Sequence, residues 1–183
     1  VNALSWTWYL LKQHADEEVA LKEESKSFAA NRIPVFEDLH ALDFGRQVMN
    51  ESMRLYPPVL MFGRKIIKDD VAADYELKAG WGVGINIAGL HHHPAYWENP
   101  SEFRPSRFAN FDLKGDNRYI FMPFGAGPRI CIGNSFAMME MQIIVALVCQ
   151  QYNFTLPAGF EIETQPYITL RPKDGVPLKF SKR

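Results

Sequence analysis

Apolar and polar residues recur along this chain with two periods, and the switches between them divide it into elements. Val1, Ala3, Leu4, Trp6, Trp8, Leu10 and Leu11 surround residues 1–13 on almost every side, the pattern of a buried helix. His14-Ala15-Asp16 breaks it. Asp16 is the expected N-cap of a second helix, with Glu17 and Glu18 in a first turn where carboxylates suit the helix dipole. Leu21, Ser25 and Phe28 make only a weak inner stripe, so this helix is expected at the surface with its charges outward. Residues 31–39, from Asn31 and including Pro34, read as a connector with a short helical turn near Asp38. A stronger helix is expected over residues 41–56, stopped by Pro57-Pro58. Its apolar stripe is Phe44, Val48 and Leu55. A step of about 100° per residue sets Glu51 in the middle of that stripe. A buried carboxylate is costly unless paired, and Arg54, three residues on, is within reach.

Beyond the proline pair the period shortens. Residues 62–67, 74–77 and 83–87 are β-rich, punctuated by Gly80 and Gly82, with Asp69 and Asp70 as a turn. They predict a small antiparallel sheet with Arg64 in its first strand. His91-His92-His93 precedes Pro94 and Trp97. Three adjacent imidazoles lack the usual metal-ligand spacing, so local structural roles are expected. Residues 109–120 show no period and read as an irregular meander. Phe136, Met139, Ile143 and Leu147 then recur at helical spacing, predicting the inner face of a helix that ends near Tyr152. Short strands are expected at 154–156, 167–170 and 178–180, with Pro157, Gly159 and Gly175 at the turns.

The chemistry concentrates just before that last long helix. Residues 124–133 read Phe124-Gly125-Ala126-Gly127-Pro128-Arg129-Ile130-Cys131-Ile132-Gly133. Cys131 is expected where the helix begins, and helix N-termini favour thiolate over thiol. Gly125, Gly127 and Gly133 remove side chains and permit positive φ, so a large flat group has room against the backbone. Cys149, between Val148 and Gln150, reads as a buried small hydrophobe. Cys131 has no neighbours with which to build a four-ligand zinc site.

This loop resembles the cysteine-ligand loop of the cytochrome P450 family, Phe-Gly-x-Gly-x-Arg-x-Cys-x-Gly, with every fixed position filled. Three further stretches carry the likeness. Glu51-x-x-Arg54 followed by Leu55-Tyr56-Pro57-Pro58 resembles the family's Glu-x-x-Arg and proline pair. His93-Pro94 with Trp97 resembles its His-x-Asp-Pro and Trp-x-x-Pro segment, His93 replacing the commoner Asp. Phe103-Arg104-Pro105-Ser106-Arg107-Phe108 resembles its Phe-x-Pro-x-Arg-Phe.

The resemblance implies a mainly α protein with small β-sheets (α+β), residues 1–183 forming the C-terminal portion of a single P450 domain. It implies haem b, iron protoporphyrin IX, with Cys131 as axial thiolate. Arg129 would pair with a propionate, Arg64 would assist, and Phe124 would pack near the sulfur. Gly125 and Gly133 would give the ring room. Arg107 would join Glu51 and Arg54 in one network, anchoring the meander that delivers the loop. Ile168, Thr169 and Leu170 would lie near the substrate pocket. The implied reaction is insertion of one oxygen atom of O2 into a small, apolar organic substrate. Electrons would come from NAD(P)H through a flavoprotein reductase or a ferredoxin. A haem-thiolate isomerase, a peroxygenase and an inactive truncated fragment are the alternatives. The acid-Thr oxygen-handling segment would precede Val1, and so would any membrane anchor. Localisation is therefore cytoplasmic or membrane-anchored through such a segment, and the 183 residues alone are expected to be inactive.

Bulk properties narrow the class. The 183 residues suffice for a core, 47% are hydrophobic, and the net charge of -1 leaves no nucleic-acid footprint. Two cysteines far apart exclude a disulfide framework.

Overall fold

The computed structural model describes residues 1–26, 28, 32, 34–113 and 115–183. Helix α1 (Asn2–Gln13) buries Trp6, Thr7, Trp8, Leu10 and Leu11. Its Trp6 ring stacks on Tyr56 at 4.0 Å, and the indole N–H donates to the Leu170 carbonyl at 3.4 Å. One residue thus ties α1 to a second helix end and to a C-terminal strand.

Helix α2 (Ala15–Ser25) follows, with His14 and not Asp16 at its N-cap. The His14 ring bonds the Leu10 carbonyl at 2.8 Å, and the helix is capped two residues earlier than expected. The helix is also less solvated than its weak stripe suggests. Leu21 and Ser25 are buried, and so is Glu18, held by Lys12 at 2.6 Å and Lys22 at 2.5 Å. Those two ion pairs let a carboxylate sit inward. The expected connector starts at Asn31, which lies outside the described residues. Near Asp38 a 3₁₀ turn (Phe36–Ala41) forms, with the Asp38 carboxylate accepting from Val35 N–H at 2.8 Å.

Helix α3 (Asp43–Leu55) starts two residues later than its pattern suggested, because Leu42 is non-helical at φ -106°, ψ 47°. No side chain of its own N-cap caps it. Glu24 of α2 does so instead, accepting from Phe44 N–H at 2.6 Å and Gly45 N–H at 2.7 Å. From Gln47 to Leu55 every residue of α3 is buried, so it is the central rod of the core rather than a one-striped helix. Tyr56 closes it before the prolines.

The β-rich region forms two separate two-stranded sheets, not one. Strands β1 (Met61–Lys65) and β4 (Gly82–Asn86) pair antiparallel, with Arg64 opposite Val83. Strands β2 (Asp70–Ala72) and β3 (Tyr75–Leu77) form the second, so Asp70 is strand rather than turn. Ile87 opens a short helix α4 (Ile87–His91) instead of ending a strand.

The last long helix, α5 (Asn134–Gln151), buries Met141, Val145, Ala146 and Cys149. The expected inner face was Phe136, Met139, Ile143 and Leu147, yet Phe136 is 65% exposed. Met141, Val145 and Cys149 step by one helical turn each, and they meet the core of α1 and α3. Continuous hydrophobicity around α5 hid which stripe faces in.

Strands β5 (Tyr152–Thr155) and β8 (Lys179–Lys182) pair antiparallel, as do β6 (Thr164–Pro166) and β7 (Leu170–Pro172). Residues 167–169, expected as strand, are the turn between β6 and β7. Among the described residues the fold is thus α+β. One core packs α1, α3, α5 and an aromatic group of Trp97, Phe103, Phe108 and Phe121. No helix of the described residues is long and apolar enough to cross a membrane.

Candidate functional site

The cysteine loop is built on backbone geometry that its glycines permit. Gly125 has φ +77° and Gly127 φ +68°, values that side chains resist. Gly125 N–H donates to Met122 O at 3.0 Å, and Cys131 N–H donates back to Phe124 O at 2.9 Å. A 3₁₀ turn (Gly127–Arg129), with Pro128 inside it, fills the bend. Gly133 differs from expectation. Its φ is -88° and it is the N-cap of α5, so its small size is used for space: a Cβ there would stand 3.9 Å from Cys131 Sγ. Cys131 lies two residues before that cap, joined to the helix by Asn134 N–H donating to Cys131 O at 3.3 Å. It therefore precedes the helix rather than starting it.

The sulfur is exposed, and its sequence neighbours are apolar yet face solvent. Ile130 is 48% exposed, Ile132 103% and Phe136 65%. Arg129 is also exposed and makes no hydrogen bond or ion pair among the described residues. Arg64 stands on β1 with Nη1 donating to Gly63 O at 2.8 Å and the guanidinium 5.9 Å from the Phe62 ring. Phe62 in turn lies against the loop, since a Cβ on Gly125 would meet its Cζ at 3.6 Å. Phe124 is half-buried against the core. It borders a hollow of about 330 Å3 with Ala3, Met53, Ala137 and Met141.

Glu51, Arg54 and Arg107 are brought together. Glu51 and Arg54 are fully buried and paired by two parallel bonds, Nε to Oε2 at 2.7 Å and Nη2 to Oε1 at 2.9 Å. Arg107 Nε adds a third at 2.9 Å to Oε1. Remaining donors reach backbone carbonyls: Arg54 Nη1 to His91 and Pro100, both at 2.8 Å, and Arg107 Nη1 to Glu98 at 3.0 Å. Arg104 N–H also donates to Glu51 at 2.9 Å. Trp97 lies beneath the Arg54 guanidinium at 5.1 Å. Buried charge is tolerated because nearly every lone pair and N–H is used.

A further residue joins this network to the loop. His91 is fully buried, and its Nε2 accepts from Met122 N–H at 2.9 Å, at the entrance to the cysteine loop. Its proton therefore sits on Nδ1, which has no partner of normal geometry among the described residues. Burial pushes the imidazole pKa down from 6.5 to about 3, and the neighbouring Arg54 charge acts the same way. The backbone of Met53 and Arg54 offsets part of this. Nothing in the three-histidine run singled out His91, because its partner lies 31 residues away. The His92 ring bonds the Ala88 carbonyl at 3.0 Å, and the His93 ring accepts from Ala95 N–H at 3.2 Å. No group of three or more His, Cys, Asp or Glu able to hold a metal occurs among the described residues.

Leu170 is buried and its N–H donates to Pro58 O at 2.9 Å, whereas Ile168 is 93% exposed at the β6–β7 turn. Thr169 Oγ1 accepts from Asn2 Nδ2 at 3.1 Å.

Comparison with known proteins gives a consistent answer. The family profile described as Cytochrome P450 matches residues 1–179. A protein described as putative cytochrome P450 132, from Mycobacterium tuberculosis, is 35% identical over 175 residues. The match covers 96% of this chain and 38% of that protein. Echinocystic acid 23-monooxygenase from Saponaria officinalis is 35% identical over 184 residues, covering 98% of this chain and 35% of the enzyme. The chain thus spans roughly a third of the length of the curated relatives it matches. The crystal structure of the cytochrome P450DA heme domain superimposes with a TM-score of 0.90 at 27% identity. It covers 100% of this chain and 41% of that one.

Proposed function

The chain belongs to the cytochrome P450 family, and on that premise we propose that Cys131 is the axial thiolate of a haem-dependent monooxygenase. The observation that carries this reading is the exposed Cys131 thiol at the end of a loop with two left-handed glycines. The surroundings fit haem b. The ring would cover Ile130, Ile132 and Phe136, apolar groups otherwise in water, and no side chain rises from Gly125, Gly127 or Gly133 to obstruct it. Among the described residues the Arg129 guanidinium has no partner and could take one propionate, and the hydrogen bond that Arg64 makes there, to the Gly63 carbonyl, could be given up for another.

Bound there, haem would supply activation of dioxygen for insertion of one oxygen atom into an organic substrate. Electrons would come from NAD(P)H through a flavoprotein reductase or a ferredoxin. The chain's own residues hold and orient. Cys131 donates the thiolate, and the Phe124 carbonyl fixes its backbone N–H. Phe124 limits water at the sulfur. Glu51, Arg54 and Arg107 clamp α3 to the segment that leads into the loop, and His91 pins Met122 at its start. Leu170, Thr169 and Ile168 border the region where a small apolar substrate would lie. Residues 1–183 form the C-terminal part of a single P450 domain in this reading.

The test is isotopic. The complete P450 domain of which residues 1–183 form the C-terminal part in this reading, loaded with haem and supplied with reductase, NADPH and a panel of apolar substrates, should place oxygen from labelled O2 into product. Unlabelled rearranged product would assign the site to a haem-thiolate isomerase instead. Turnover sustained by peroxide with no need for reductase would assign it to a peroxygenase.

A further inference from the structure

A second cavity, of about 470 Å3, lies against the cysteine loop and its approach segment. It is framed by Phe121 and Met122, by residues 124–127 and Ile130 of the cysteine loop itself, by Ser135 and Met138 on the first turns of α5, and by Arg46 and Asn50 of α3, with Arg118 at its edge. Cys131, Arg129 and Ile132 do not line it, and neither do Ala137 and Met141, which border the hollow on the haem side. Its positions on α5 fall on a different face from those two.

Asn50 is the telling residue. Its side chain is 3% exposed, and its Nδ2 has no hydrogen-bond partner among the described residues. Leaving a buried amide donor unpaired costs free energy that an apolar residue of similar size would not. Each neighbouring buried group is satisfied: Glu51 by three partners, Ser52 by the Val48 carbonyl at 2.9 Å, and Gln47 by Asp43 at 2.7 Å. The unpaired N–H therefore stands at the wall of a mostly apolar cavity of ligand size. Such cavities take mostly apolar molecules oriented by a few placed polar groups.

We propose that this cavity is a binding site for a small, largely apolar molecule carrying one carbonyl oxygen, which accepts from Asn50 Nδ2. A neutral amide donor suits a neutral acceptor; of the two guanidiniums on the wall, Arg46 is already paired with Asp43 at 2.6 Å and Arg118 stands at the mouth, so a carboxylate at the depth of Asn50 would be poorly compensated. Arg118, exposed and stacked on Tyr119 at 4.6 Å, makes no ion pair among the described residues. It would hold a polar tail at the mouth. Met122 belongs both to this cavity and to the His91 bond that starts the cysteine loop. An occupant thus touches the loop and its support, while Cys131 itself does not line the cavity. The Asn50 contact is separable from what Cys131 binds, because Cys131 does not line the cavity.

The probe is 4-methylbenzophenone, an apolar ketone whose excited carbonyl inserts into nearby C–H bonds, methionine preferentially. The protein is irradiated over a range of ketone concentrations and adducts are mapped by peptide mass spectrometry. Adducts should saturate at Met122 and Met138. Asn50→Leu, which removes an unpaired polar group and so should fold at least as well, should raise the half-saturating concentration roughly five-fold. Ser135→Trp, at an exposed position on the rim, should abolish both adducts. Adducts that do not saturate or that spread evenly over all methionines would overturn the site. Saturation unchanged by Asn50→Leu would overturn the assignment of the acceptor. Mapping by residue separates this cavity from the hollow bordered by Met53 and Met141.

Discussion

Loss of water raises a thiol's pKa, and the two cysteines differ in their access to water. Cys149 is fully buried in α5, and burial pushes its pKa up to about 12, so it stays a thiol. Cys131 is exposed. In the haem-free protein an alkylating reagent should modify Cys131 quickly and Cys149 only after unfolding; rapid modification of both would contradict the burial of Cys149. His91 gives a prediction in pH. Folded, it stays neutral down to about pH 3, while unfolded it takes up a proton near 6.5. As pH falls through that window the unfolded state gains protons that the folded state does not. Stability is therefore lost on the acid side, at up to about 1.4 kcal/mol per pH unit. Between about pH 7 and about pH 5 the loss should be about 2 kcal/mol, and His91→Gln should lack it. Denaturant titrations at the two pH values measure this; equal acid sensitivity in the variant would mean other groups set it. At Arg129, loss of one charge-assisted bond to a propionate should weaken haem affinity in Arg129→Ala by roughly ten- to a hundred-fold. Unchanged affinity in a haem titration would remove Arg129 from the site.

Between elements, the ion-pair network decides whether the loop is delivered at all. It joins the middle of α3 to the 3₁₀ turn (Pro105–Phe108) that carries Arg107. Glu51→Ala leaves two guanidiniums with no carboxylate, one of them fully buried, and should cost about 3–5 kcal/mol. That is a large share of a domain's usual margin of about 5–15 kcal/mol. The measurement is yield and melting of the variant; a change of only about 1 kcal/mol would make it an ordinary surface pair. The sequence disclosed this network because Glu51 and Arg54 share one helical face, and helical spacing is local. It disclosed the cysteine loop because glycines at fixed intervals have few other uses. It did not disclose the His91–Met122 bond, the Glu24 cap on α3 or the unpaired Asn50, since each depends on which elements meet. The inner face of α5 was misread for a related reason. A helix apolar on most sides offers several stripes, and only packing against α1 and α3 chooses Met141, Val145 and Cys149. Strand positions near residues 167–170 slipped because Gly and Pro mark turns without setting register.

For the whole molecule, the described core holds α1, α3 and α5 together, while the face bearing Cys131 is left bare. Ile132 at 103% and Phe136 at 65% exposed, together with Ile168 at 93%, are apolar groups that a closed haem pocket would cover. A haem held only by the loop would have its far face in water, and oxygen insertion needs a shaped, water-excluding pocket. The 183 residues by themselves should therefore bind haem with little or no coupled turnover; substrate-dependent product at rates comparable to a complete family member would contradict this. The central claim is the iron–sulfur bond at Cys131, and it has one direct measurement. The absorption spectrum of the reduced, carbon monoxide-bound, haem-loaded protein is recorded for the parent chain, for Cys149→Ala and for Cys131→Ala. The parent and Cys149→Ala should show the thiolate-type band, and Cys131→Ala should lose it. Retention of that band in Cys131→Ala would contradict the assignment.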